Sequence, residues 1–155
     1  MSAEAIVVAP GDGDVVPRPG TTDAITIKLP SRAADGAVTV FESIHSSEDS
    51  FEPGVHSHPG FDEILYVIAG VFEFTAGSRT ILAEAGTVAF LPRGIFHRLR
   101  CTGKAAGSLL TVCIPGGIED FFAEADPVPS RHIGVSNSDS DTHPPSGSPA
   151  RSSDP

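Results

Sequence analysis

The sequence predicts an all-β fold, a single antiparallel sandwich or barrel followed by one short helix, and three observations predict it. From residue 24 onward, short runs rich in β-branched and aromatic residues follow one another. Joints such as "AGSR", "AEAG", "LPRG" and "CTGKAAGS" separate them at intervals of about 8 to 12 residues, the rhythm of an antiparallel sandwich or barrel. Helical periodicity is nearly absent from this stretch.

Taken in order, residues 1–23 contain "PGDGDVVPRPG" and read as an extended N-terminal arm, able to add an edge strand to a neighbour. Residues 24–125 hold the barrel. Its strands are expected in "AITIKL" (24–29), "AVTVFESIH" (37–45), "EILYVIAG" (63–70), "VFEFTAG" (71–77), "RTILAEAG" (79–86), "TVAFLPRG" (87–94), "FHRLRC" (96–101) and "SLLTVCI" (108–114). The alternating apolar positions of "EILYVIAG" and "VFEFTAG" predict one face buried against an opposing sheet. In "GIEDFFAEA", Ile118, Phe121, Phe122 and Ala125 fall at helical spacing on one face, so a helix is expected to cap the barrel. Residues 126–155 are rich in Pro, Ser, Asp and Gly, and are expected to form a disordered tail because they cannot bury enough apolar surface to offset their ordering entropy.

The whole chain has 155 residues, which suits one domain, and shows no internal repeat. Acids outnumber bases 20 to 10, for a formal net charge of −10. A nucleic-acid partner is therefore not expected. No apolar run approaches the roughly 20 residues that span a bilayer, so no membrane partner is expected either. The start, "MSAEAIVVAP", lacks a basic n-region, and Cys101 and Cys113 lack CxxC spacing. A cytoplasmic protein is the expectation.

The chemistry concentrates in "HSHPGFDEILYVIAG", residues 56–70. On a strand, His56 and His58 point to one face, so both imidazoles can reach one ion. Glu63 follows within reach as a carboxylate. Downstream, "GTVAFLPRGIFHRLR" uses Gly86, Pro92 and Gly94 to deliver His97 into a second strand. Three imidazoles and one carboxylate suit a divalent ion such as Fe, Ni, Mn or Zn, with positions left open for substrate or oxygen.

These two stretches resemble the two motifs of the cupin superfamily. His56, His58, Glu63 and Gly70 fit the first, and Gly86, Pro92, Gly94 and His97 fit the second. Two positions depart from the pattern, Ser50 in place of a glycine and Cys101 in place of the closing asparagine, and neither is a ligand position in the family. The resemblance, over about residues 37–114, implies a jelly-roll barrel holding one divalent metal ion per chain inside, near one end, on His56, His58, Glu63 and His97. Among small single-domain cupins the chain looks like the bacterial quercetin dioxygenase-like group, and "PGGIEDFF" adds to that likeness. The resemblance also implies a homodimer, for which the arm offers a means.

Other residues carry alternatives. A spacer one residue shorter would make Asp62 the ligand, but six residues counted back from Gly70 fall on Glu63; Asp62 is then a solvated turn residue or an acceptor for an imidazole N–H. His45 ends its strand, either as a catalytic proton shuttle at the barrel mouth or, the favoured reading, as an exposed strand-end histidine. Cys101 is expected as a small buried filler, with Arg98 and Arg100 facing out. Phe41, Phe72, Phe74, Phe90, Phe96 and Tyr66 are expected mostly in the core, with some lining an apolar cavity for a flat organic molecule.

Two reaction classes follow. In the first, a dioxygenase binds an enolic or catechol-like substrate and O₂, with Glu63 as ligand and base. In the second, similar to polyketide cyclases and sugar isomerases, the ion is a Lewis acid for a cyclase, isomerase or lyase step, and His45 or Glu63 moves protons. A non-catalytic sensor is the third and least favoured.

Overall fold

The computed structural model describes residues 4–18, 23–46 and 53–125. Its strands are β1 (Asp14–Val16), β2 (Ala24–Leu29), β3 (Thr39–His45), β4 (Asp62–Ala69), β5 (Val71–Ala76), β6 (Arg79–Glu84), β7 (Val88–Leu91), β8 (His97–Cys101) and β9 (Gly107–Ile114), followed by the helix α1 (Ile118–Ala125). A 3-10 turn spans Ser31–Ala34. Two antiparallel sheets form, one with the order β1-β2-β3-β9-β4-β7 and one with the order β6-β5-β8. The fold is the mostly-β jelly roll with one short helix that the sequence predicts.

Strict alternation of buried and less buried residues along β3 and β9 marks the inner face. The core between the sheets gathers Leu65, Val67, Phe72, Phe74, Ala83, Leu91, Cys101 and Leu109. A second cluster joins Ile25, Ile27, Phe41 and Cys113 to Ile118 and Phe122 of α1. That contact makes α1 the cap expected of it. Glu119 fixes its start, with Oε1 accepting from the Ser31 amide and Oε2 accepting from the Thr39 hydroxyl at 2.8 Å.

Within the stretch read as an N-terminal arm, three residues form a strand. Residues 14–16 pair with β2 of their own chain, Asp14 opposite Ile27 and Val16 opposite Ile25, and form the edge strand of the larger sheet. The Lys28 ammonium holds the preceding turn by donating to the carbonyls of Ala9 and Asp12 at 2.9 and 2.6 Å. The tail expected over 126–155 lies outside the described residues.

Register fixes what shares a level inside. Glu63 pairs with Cys113, which pairs with Thr39; farther along, Ser43 pairs with Leu109 and His45 with Gly107. Glu63 and His45 therefore point inward at opposite ends of one row.

Candidate metal centre

The segment carrying His56 and His58 is not a regular strand. It is held by main-chain bonds to the second motif: His56 and His97 exchange both backbone hydrogen bonds, at 3.0 and 2.8 Å, and the Gly94 amide donates to the His58 carbonyl at 2.8 Å. Gly94 can present its amide this way because its φ of +79° lies in the left-handed region that glycine adopts freely. Asp62 braces the same turn. Its carboxylate accepts from the Arg93 amide at 2.8 Å and from the Arg93 guanidinium at 3.1 and 2.9 Å. These bonds hold the Asp62 carboxyl down at about 2. Asp62 thus serves the turn, and bonds to Arg93 where the sequence reading allowed an imidazole partner.

The result is a cluster of three imidazoles. Ring centroids of His56, His58 and His97 lie 4.5 to 5.4 Å apart, and one ligand atom from each lies within 4.8 Å of the others. His58 and His97 are buried, at 7% and 6% exposure. The donor chemistry fits a metal ion. Nδ1 of His56 bonds to the Gly54 carbonyl at 2.7 Å and Nδ1 of His97 to the Ile95 carbonyl at 3.0 Å. A carbonyl only accepts, so both Nδ1 atoms carry the proton and Nε2 is left as the nitrogen able to ligate.

Glu63, the carboxylate expected with them, opens the inward row of β4 at 6% exposure. Its Oε2 lies 3.2 Å from His97 Nε2 and its Oε1 4.0 Å from His58 Nε2. The Cys113 thiol donates a weak bond to Oε1 at 3.9 Å. Burial, aided by the Glu63 charge, pushes that thiol well up, so it stays protonated. Burial pushes His58 down. For His97 burial acts the same way, but the bond to Glu63, the bond to Ile95 and the Glu63 charge outweigh it and raise the ring. Without an ion, the Glu63 carboxylate favours the protonated form of His97, while burial favours the neutral form of His58.

His45 is buried at 9% exposure, not exposed at a strand end. Its position in β3 shares the inward parity of Thr39, Phe41 and Ser43, and its partner Gly107 has no side chain to exclude it. The ring packs edge-on against Phe72 at 5.5 Å, and Nε2 bonds to Ser43 Oγ at 2.9 Å. His45 lines the same cavity as the three histidines, a space of about 90 Å³, but its own contacts are with Ser43 and Phe72.

The cavity walls are mostly apolar, with Phe41, Leu65, Leu99 and Leu109 among them. Of the aromatics considered in the sequence, Phe72 and Phe74 are core, while Phe90, Phe96 and Tyr66 are exposed. Cys101 is a buried filler, and Arg98 and Arg100 face outward. Two rings at the cluster were not singled out: Phe61 stacks on His58 at 4.7 Å, and Phe121 lies over His56 at 6.1 Å and edge-on to His58 at 5.1 Å. Helical spacing had marked Phe121 only as part of a capping face.

Among the described residues, no helix is long and apolar enough to cross a membrane. Residues 43–113 match the family model described as a cupin domain. Similar solved structures include a predicted oxalate decarboxylase from Thermotoga maritima, 21% identical with a TM-score of 0.63 over 71% of this chain and 99% of that one. KdgF from Halomonas sp. is 13% identical with a TM-score of 0.62, covering 76% and 99% of the two chains. An RmlC-like cupin from Shewanella frigidimarina is 18% identical with a TM-score of 0.61, covering 78% and 99%. At these identities the likeness is one of fold. Among curated proteins, none matches.

Proposed function

We propose that this chain, whose residues 43–113 match a cupin-domain model and whose fold is that of cupins, is a metal-dependent enzyme, a dioxygenase acting on a small enolic or aromatic, flavonol-like compound. One divalent ion per chain, Fe, Ni, Mn or Zn, would be held by His56, His58, His97 and Glu63. The observation that carries this reading is the convergence of three imidazole ligand atoms within 4.8 Å in an apolar cavity. When bound, the ion supplies a Lewis-acid centre that lowers the pKa of an enol or phenol hydroxyl.

The chain's own residues supply the rest. Glu63 is the base, a buried carboxylate at the cluster that takes the proton of the substrate hydroxyl. Phe41, Leu65, Leu99 and Leu109 exclude water and favour a flat organic substrate together with apolar O₂. Phe121, which lines the cavity beside His56 and His58, narrows the space at the cluster. Oxygen uptake by the metal-loaded protein, measured across flavonols, diketones and catechols, tests the proposal. Uptake with at least one class supports it, and none with any overturns it.

The buried Ser43–His45 pair favours a second reading. A second group able to move protons in the same cavity suits a non-redox cyclase, isomerase or lyase step. Turnover under strict exclusion of oxygen selects this reading over the first. Assembly as a cytoplasmic homodimer without a nucleic-acid partner completes the proposal, and mass in solution tests the dimer.

A further inference from the structure

The inner row of β3 contains an anomaly. Ser43 and His45 are buried at 3% and 9% exposure and face apolar neighbours, Leu109 opposite Ser43 and the Phe72 ring beside His45. Apolar side chains of similar size would fill these positions without a desolvation cost. The two bond to each other at 2.9 Å, and His45 Nδ1 has no hydrogen-bond partner among the described residues. A buried polar pair with unmet capacity, lining a cavity, is a recognition point for a ligand atom.

Its place along the strands sets the spacing. The level of Glu63 is that of Cys113 and Thr39, and Ser43 lies four residues farther along β3. At ~3.3 Å per residue that separation is about 13 Å along the strand. Phe41, Leu65 and Thr111 occupy the level between, where Phe41 pairs with Thr111 and Thr111 with Leu65. One cavity therefore has polar groups at two ends and largely apolar walls between them.

Resting on the metal-centre reading above, we infer that the substrate is an elongated, two-ended molecule: a metal-binding oxygen at the three histidines, a flat or apolar middle, and a hydroxyl or carbonyl oxygen received by Ser43 and His45. Together the hydroxyl and the imidazole can both donate and accept, so either kind of oxygen is served. Burial and the Arg18 charge lower the His45 pKa more than Asp23 raises it, which favours the neutral ring; Arg18 and Asp23 line the same cavity. Ser43 and His45 act here as specificity-determining residues.

The probes are 3-hydroxyflavone and its 4′-hydroxylated form, which share a metal-binding head and differ in one far hydroxyl. Each is titrated into Ni-loaded and metal-stripped protein, as wild type, Ser43→Ala and His45→Phe, with circular dichroism confirming each fold. The expected result is about tenfold tighter binding of the 4′-hydroxylated probe to wild type, the factor one good hydrogen bond supplies, falling to less than about twofold in both variants. Affinity for 3-hydroxyflavone should change little. Equal affinities in wild type, or a preference that survives both substitutions, overturns the inference. Stripping the metal separates the two readings: weaker binding of both probes with the preference intact supports both. A preference that depends on Ser43 and His45 but ignores the metal supports the far site and overturns the metal reading. No binding of either probe in either state overturns both.

Discussion

Alanine at Gly70 and at Gly86, the glycines that close the first motif and open the second, should produce different losses although both have left-handed backbone. Their φ angles are +85° and +93°, so either alanine incurs a strain of about 1–2 kcal/mol. Either also gains ~0.4–1 kcal/mol from a less flexible unfolded chain, which cancels in the comparison. The surroundings are what differ. A Cβ on Gly70 would lie 2.6 Å from the Gly107 Cα and 3.3 Å from its amide nitrogen, whereas nothing lies within 4 Å of one on Gly86. Backbone cannot swing aside as a side-chain tip can, so overpacking adds about 1–3 kcal/mol at Gly70 alone. For a domain of this size that difference lowers the Gly70→Ala melting temperature by roughly 4 to 13 °C relative to Gly86→Ala. Thermal unfolding followed by circular dichroism with a chelator present measures it without any contribution from metal. Melting temperatures within about 2 °C of each other would refute the close approach of Gly70 and Gly107.

The pH dependence of the Asp62–Arg93 pair is the second prediction: the folded carboxyl sits at about 2 against an ordinary 3.8, so its contribution is present above the higher value and lost as pH falls through the lower. The melting-temperature gap between wild type and Asp62→Asn should be constant above about pH 5 and close toward pH 2. Removing ligands should separate binding from folding. His97→Ala leaves the buried Glu63 carboxylate without its 3.2 Å partner and should cost about 1–3 kcal/mol in metal-free urea titrations, whereas His56→Ala should cost less than ~1 kcal/mol; both should lose the ion by elemental analysis. Glu119→Ala removes the bonds to Ser31 and Thr39 that seat α1. It should cost about 1–3 kcal/mol and speed protease cleavage near residues 115–117, with an unchanged digestion rate arguing against that anchoring role.

The strands were legible because their period of two survives without tertiary information; eight expected runs correspond to β2 through β9, with ends shifted by at most three residues. β1 was not, since three residues among glycines and prolines carry no pattern and are ordered by pairing with β2. Parity explains the site. Glu63 faces the histidines while its neighbour Asp62 faces Arg93, the alternation that counting back from Gly70 had pointed to. His45 misled because it ends its strand, where exposure is expected, while its register opposite Gly107 dictates burial. Phe121 and Phe122 share a helical face by spacing, yet Phe122 packs into the core beside Phe41 and Phe121 lies over His56. A helix that caps a cavity has two kinds of neighbour, and spacing alone cannot separate them.

The most direct test of the metal centre is elemental analysis of the untagged protein, purified without chelators, beside His56→Ala prepared identically. The arrangement of His56, His58, His97 and Glu63 predicts close to one divalent ion per wild-type chain and almost none in the variant. No ion in wild type even after soaking with Fe, Ni, Mn or Zn, or equal occupancy in the two proteins, would contradict it.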